Sequence, residues 1–377
     1  MRIALDVSAA LDGASGLGFY VERLTAALVA VAPEREFIFT AAFWRGGRRL
    51  EDAALPRARN VTRLRFAAPQ RLLLPAEEYA GVSWRERRFR ALGVDAVHGL
   101  GNVLPPLTRL PGVVTVHHVG GGVPPGPWAD FFFNKLPVRS ALRADRVIAV
   151  SERTRTEAIA QWGLDAARVR TVHEGGPDAV FRAAEAATAA PAAPYILHVG
   201  GLSVRKNVPA LLRAVAAIVA KDSSRPLRLV LAGRPGEASA EIARLSAEPP
   251  LAGRVKLLGE VSRERLVGLY QGAAAVAMPS LVEGFGFPVL EAMACGAPVV
   301  AADAAALPEI AGGAAQLFDP ADPDALAKAL SRVLDDAGLA ADLRRRGLAR
   351  AQDFSWEKAA RETLEVVDAA RARRVKS

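Results

Sequence analysis

Residues 275–302 run AVAMPSLVEGFGFPVLEAMACGAPVVAA. Ala275–Met278 is an apolar run of strand length that stops at Pro279. A short loop follows, with Glu283, Gly284, Phe285 and Gly286. Pro288 stands where a first helical position is expected, because its fixed φ suits a helix start and no amide hydrogen bond is lost there. Val289, Leu290, Ala292 and Met293 supply an apolar face, Cys295–Gly296 stops the helix, and Ala297–Ala302 reads as a second buried strand. Strand, glycine loop, helix, strand is a unit of parallel α/β sheet, and ligands of such sheets bind at these loops.

Two glycines let a ligand approach the backbone, and the first amides of the helix carry partial positive charge. Glu283 and Glu291 flank the loop. A carboxylate accepts from two hydroxyls at once, so each suits a vicinal diol, on a sugar ring or a ribose. An arbitrary pair of glutamates would be a solvated loop residue and a helix-face charge. Bracketing a glycine loop beside a proline-started apolar helix favours a ligand.

A chain of 377 residues is too long for one ordinary core, so two domains are expected. With 51% hydrophobic and 24% charged residues it is a globular composition. The single cysteine, Cys295, allows no internal disulfide and no cysteine metal cluster. Met1–Val7 reads as a strand without a signal-peptide core, and no eighteen apolar residues run together, so the expected location is cytoplasmic. Net charge is +9, and the segment from Phe43 to Arg90 holds 12 arginines against 5 acidic residues. Such a stripe suits an anionic membrane surface, with Trp44, Trp84 and Phe89 as interfacial aromatics, or is ordinary solvated arginine. No nucleic-acid-binding motif accompanies it, so no nucleic-acid partner is expected.

Along the chain, Ile3–Val7 is a strand, Asp12–Gly18 a glycine loop with Gly16 and Gly18, and a helix is expected from about Phe19 to Val31. Further strands are expected at Glu36–Ala42, Val61–Phe66, Val94–Val97, Gly112–Val116, Asp145–Val150 and Val169–Val172, with one helix over Ala76–Leu92 and a glycine-proline loop over Gly120–Pro127. Residues 183–194, AAEAATAAPAAP, read as a linker. The pattern restarts at Tyr195–Val199 and continues through Leu227–Ala232, Val255–Leu258, Ala275–Met278, Pro298–Ala302 and Ala314–Phe318. Two β/α series predict an α/β protein of two doubly wound parallel sheets, 1–182 and 195–354. Phe354-Ser355-Trp356 opens a last helix.

EGFGFPVLE resembles the E-x7-E signature of retaining, nucleotide-sugar-dependent glycosyltransferases of the GT-B fold, family 4, and CGAPVVAADAAALPEIAGGAAQLFDP resembles that family's continuation. The resemblance implies two Rossmann-like domains facing across a cleft, with the helix over 355–377 returning to the N-terminal one. It implies that Glu291 holds the ribose hydroxyls, and that Glu283 with the Phe285 and Gly286 amides, beside Phe287, takes the donor sugar. GGLSVRKN matches the family's phosphate clamp, so Arg205 and Lys206 take the diphosphate. Glu309, in LPEIAGG, is implied near the nucleotide. T-V-H-H-V resembles the strand whose histidine, His117 here, contacts the donor sugar, and His118 stands where the family often has aspartate. Gly16 and Gly18 resemble the first glycine loop of the family.

All five histidines, 98, 117, 118, 173 and 198, fall at or near predicted strand ends. None forms a helical metal-ligand pair, and Asp322-Pro323-Asp324 reads as a helix cap, so no metal and no cofactor are expected. The leading expectation is a retaining hexosyltransferase, with GDP-mannose as first donor and a UDP-hexose as second. A lipid-linked glycan of surface polysaccharide or lipopolysaccharide synthesis is its acceptor, which puts the protein peripherally at the inner face of the plasma membrane. The alternatives are a small soluble acceptor and a non-catalytic membrane-docked scaffold. A glycosidase would need Glu283 and Glu291 about 5 Å apart and leaves Arg205 and Lys206 idle. A dinucleotide oxidoreductase lacks G-x-G-x-x-G.

Overall fold

The computed structural model describes residues 1–11, 15–42, 50, 53–68, 70–120, 126–184 and 193–376. Parts of four expected features lie outside the described residues: the first glycine loop (12–14), the arginine-rich segment (43–49, 51–52), the glycine-proline loop (121–125) and the linker (185–192). The chain divides into two compact units, Met1–Gly175 with Ser355–Ser377, and Gly176–Phe354.

In the first unit, β1 (Arg2–Asp6), β2 (Glu36–Ala42), β3 (Val61–Phe66), β4 (Ala96–Gly99), β5 (Gly112–Val116), β6 (Arg146–Ala149) and β7 (Val169–Thr171) form one parallel sheet in the order β3-β2-β1-β4-β5-β6-β7. The order reverses between β1 and β4, where Leu5 lies beside His98. Helices cover both faces, so a strand such as GVVTV of β5 is buried throughout, its polar Thr115 included, rather than alternating. α1 (Gly16–Val31) turns Tyr20, Val21, Leu24 and Leu28 inward at helical spacing. The last helix of the chain, Trp356–Lys376, adds Ala359, Ala360, Val367 and Ala370 to the same core. Gly175 lets this helix in, since a Cβ there would come 2.3 Å from the Trp356 ring.

Three local expectations change. α1 starts at Gly16, not Phe19, because Ser15 caps it by accepting the Gly18 amide at 3.0 Å. Gly16 and Gly18 therefore sit in the first helical turn. The single helix expected over 76–92 is two, α2 (Gln70–Ala80) and α3 (Trp84–Ala91), broken by Gly81 at φ 65 and restarted by the Ser83 cap. Within the arginine-rich segment, Arg85 is 3% exposed and paired with Glu77 at 2.6 Å and Asp6 at 3.5 Å, and Phe89 is core. Neither belongs to a surface stripe, because an amphipathic helix between sheet and solvent buries whatever lies on its inner face. Trp84 is exposed, as are Arg87 and Arg88.

The second unit repeats the topology: β8 (Tyr195–Val199), β9 (Arg228–Ala232), β10 (Val255–Gly259), β11 (Ala275–Met278), β12 (Val299–Ala302) and β13 (Ala315–Phe318), all parallel, in the order β10-β9-β8-β11-β12-β13. Its reversal lies between β8 and β11. Residues 176–182, expected with the first domain, group here instead. Phe181 packs edge-on to Tyr270 at 6.0 Å, Asp178 pairs with Arg263, and the Arg182 carbonyl accepts from Gln271 at 2.8 Å. Among the described residues no helix is long and apolar enough to cross a membrane.

Candidate active site

A parallel sheet opens a crevice where its strand order reverses, beyond the carboxyl ends of the two strands there. In the second unit those strands are β8 and β11, and the loops after them carry GGLSVRKN and SLVEGFGF. The loops are tied together: the Leu281 amide donates to the Arg205 carbonyl at 2.9 Å, and Arg205 Nη1 donates to the Val282 carbonyl at 3.1 Å. Gly233, at φ 155, allows the β9 loop to press on Gly200, whose carbonyl oxygen a Cβ would meet at 1.9 Å.

Three residues singled out for chemistry meet at this point. Lys206 Nζ pairs with Glu283 Oε1, and Arg205 Nη1 lies 3.4 Å from Glu283 Oε2. Burial pushes the Glu283 carboxyl up, but Lys206 and then Arg205 more than offset it and hold it below its ordinary value. A carboxylate that stays charged while buried is a strong acceptor for hydroxyls. Arg205 is 41% exposed at its side chain and keeps a guanidinium toward solvent. Beneath the cluster His198 is fully buried, its Nδ1 3.0 Å from the Ala277 carbonyl. Burial lowers its pKa to about 4, so it is neutral.

α4 (Phe287–Ala294) starts one residue before the expected Pro288, behind Gly286 at φ 112. Its inner face is Val289, Leu290, Ala292 and Met293, as the spacing predicted. Phe285 packs edge-on to Phe287 at 5.4 Å and Phe354 at 5.6 Å, so its ring belongs to the packing and only its backbone faces the loop chemistry. Glu291, one turn in, accepts from the Tyr270 hydroxyl at 2.9 Å, and burial raises its pKa to about 7. Glu309 lies in the first turn of a short helix, Leu307–Ala311, whose Glu309 carbonyl accepts from Arg350 at 2.8 Å.

His117, Gly16 and Gly18 belong to the first unit. His117 follows β5, half-buried, with Nδ1 3.0 Å from Glu174 Oε1 and Nε2 2.9 Å from the Leu100 carbonyl. Both polar atoms expected to meet a sugar are thus engaged within the unit. The Tyr20 ring stands edge-on to the imidazole at 4.6 Å. His98, expected at a strand end, lies inside β4, fully buried, its Nε2 2.9 Å from Thr115 Oγ1. Burial lowers its pKa to about 3. Sequence reasoning gave no role to Glu174 or Tyr270. The signals were a carboxylate beside two glycines just past a strand, and a tyrosine hydroxyl carried into a core where it must find a partner. Among the described residues no group of three or more His, Cys, Asp or Glu could hold a metal ion.

Two family models match the chain: "Glycosyltransferase Family 4" over residues 14–176 and "Glycosyl transferases group 1" over 193–336. The O-antigen chain mannosyltransferase B of Escherichia coli is 33% identical over 170 residues, 45% of this chain and 44% of that protein. The D-inositol 3-phosphate glycosyltransferase of Kineococcus radiotolerans is 35% identical over 246 residues, 59% of this chain and 57% of that protein. The chain thus spans about half the length of the curated relatives it matches. Among solved structures, Anabaena HepE in complex with UDP and glucose superposes with a TM-score of 0.70 at 19% identity, covering 98% of this chain and 100% of that one. At that identity the likeness is one of fold.

Proposed function

We propose, for a chain that belongs to the GT-B glycosyltransferases, that it moves a hexose from a nucleoside-diphosphate sugar to an acceptor hydroxyl with retention at the anomeric carbon. The observation that carries this reading is the Arg205–Lys206–Glu283 cluster at the β8/β11 crevice, with Glu291 on the helix that follows the Glu283 loop. Fixed cations beside a charged carboxylate suit a ligand that is anionic at one end and hydroxylated at the other.

In this reading Arg205 and Lys206 neutralise the diphosphate as it leaves, which is the largest charge to develop in the transition state. Glu283, with the Phe285 and Gly286 amides, orders the donor-sugar hydroxyls, and Glu291 takes the ribose diol. Phe287 and Glu309 border the nucleotide. Attack and departure share one face, with the leaving phosphate taking the acceptor proton, so placement of the diphosphate matters more than a protein nucleophile. The first unit's share is assigned to His117 held by Glu174. The cations are side chains, and the reaction needs no metal.

GDP-mannose is the proposed donor, supported by the mannosyltransferase among the relatives. The acceptor is a lipid-linked glycan of the cell surface at the inner face of the plasma membrane, supported by the same relative's O-antigen name. A UDP-hexose is the second reading, favoured by the fold neighbour solved with UDP and glucose. Thermal-shift and calorimetric titration with GDP, UDP, ADP and dTDP tests both. Binding of GDP above the others supports the first, preference for UDP moves the donor to the second, and binding of none rejects a nucleotide site.

A further inference from the structure

A tyrosine hydroxyl carried into a protein core needs a partner, because one left unpaired keeps its full desolvation penalty. Tyr270 is fully buried, at the end of the helix Arg263–Gly272, and its hydroxyl meets Glu291 Oε2 at 2.9 Å. Phe181 closes over its ring at 6.0 Å, so the phenol cannot swing away. Among the described residues Glu291 Oε1 has no such partner, and the residue keeps partial exposure.

We propose that Tyr270 is a positioning residue for the nucleotide: by donating to Oε2 it locks the Glu291 carboxylate in one orientation and leaves Oε1 to receive the ribose hydroxyls. The proposal rests on the reading of Glu291 as the ribose ligand. It adds to that reading a reason why the glutamate works despite its burial. A largely buried carboxyl tends to protonate, and a protonated one is a poor acceptor. The phenol donates to the charged form and favours it. Arg263, on the same helix as Tyr270, acts in the same direction, and Asp178 holds Arg263 in an ion pair. Cys295, just past the end of Glu291's own helix, is the other titratable group beside it, and its thiol is pushed up to about 12, so it stays neutral. Among the described residues no group on the helices Leu307–Ala311 and Ala337–Ala351, which also pack on α4, shifts Glu291.

The test is calorimetric titration with GDP, UDP, ADP and dTDP between about pH 5.5 and 8.5, on the wild type, Tyr270→Phe and Glu291→Ala. Loss of one hydrogen bond to a charged group should weaken binding about tenfold in Tyr270→Phe. The affinity of the wild type should fall as pH drops through about 7, and in Tyr270→Phe that fall should begin at higher pH. A merely structural tyrosine would leave the midpoint in place. Should Tyr270→Phe not fold, replacing the 4 tyrosines with 3-fluorotyrosine strengthens the donor, and the midpoint should move down. Unchanged affinity and midpoint alongside a defective Glu291→Ala overturns Tyr270 and keeps the site. An unaffected Glu291→Ala, or a wild type that binds none of the four, overturns the ribose reading itself.

Discussion

The imidazole of His117 is held from both sides, by Glu174 Oε1 at 3.0 Å from Nδ1 and by the Leu100 carbonyl at 2.9 Å from Nε2. A carbonyl only accepts, so Nε2 carries a proton, and the other nitrogen shares one with a carboxyl that burial pushes up. Glu174 thereby fixes the orientation of the ring. Glu174→Gln should lower transfer about tenfold or more, the effect of losing a charge-assisted bond. Affinity for the nucleoside diphosphate should not change, because the residues assigned to the diphosphate and the ribose are Arg205, Lys206 and Glu291. Steady-state kinetics beside a binding isotherm separate the two, and a variant with full activity removes Glu174 from the transfer step.

Lys206 and Glu283 are buried together, and a buried pair is costly to break from one side. Lys206→Met removes the nearer cation from the buried Glu283 and should destabilise the protein by about 3 kcal/mol. Adding Glu283→Gln should return most of that stability in urea unfolding while transfer stays abolished. A double variant as unstable as the single one would show that the pair is not coupled.

Glu291 places function against stability. Its folded pKa is raised from 4.5 to about 7, so the fold prefers the neutral carboxyl. The stability this confers is fully present below about pH 4.5 and is lost as pH rises through about 7. Glu291→Gln, neutral throughout, should therefore be more stable than the wild type near pH 8, by up to about 3 kcal/mol, and little different near pH 4.5. Paired unfolding curves at the two pH values check the sign. Equal stability at pH 8 would mean that the carboxylate is comfortably solvated.

Much of this was legible in the sequence where the cause is local. The β11–α4 unit followed from an apolar run, a glycine loop, a proline and an apolar face at helical spacing, and the structure departs from it by one residue at Phe287. The start of α1 was misplaced because glycine disfavours helix interiors, whereas the Ser15 cap fixed the first turn around Gly16 and Gly18. Arg85 counted as surface charge until α2 brought Glu77 to it. Tyr270 on Glu291, 21 positions apart, joins the helices before and after β11, and Glu174 on His117, 57 apart, joins the segments that follow β7 and β5. No spacing rule reaches that far.

The arginine-rich segment can be tested through its exposed residues. Reversing Arg85 attacks the core pair with Glu77, and should unfold the protein rather than report on a membrane. Arg87→Glu with Arg88→Glu changes only exposed charge. If the segment docks on anionic lipid, each basic residue contributes roughly 1 kcal/mol, and the pair should cut sedimentation with phosphatidylglycerol liposomes at low salt by about tenfold or more. Failure of the wild type to sediment makes the stripe solvated surface and favours a soluble acceptor.

Removal of metal bears on the cation assignment. With Arg205 and Lys206 neutralising the diphosphate, turnover in EDTA should stay within about twofold of the untreated rate, since Lewis-acid help worth several kcal/mol would otherwise be missed. Loss of activity restored by magnesium or manganese would transfer that role to an ion.

The most direct measurement follows GDP-mannose and UDP-glucose by proton NMR with the wild type and with Lys206→Met plus Glu283→Gln. Enzymes that transfer sugars also release them slowly to water, so an acceptor need not be known. The account expects one donor to be consumed, the α-anomer of the free sugar to appear first, and the double variant to be inert. Both donors intact in the presence of the wild type, or the β-anomer appearing first, would contradict it.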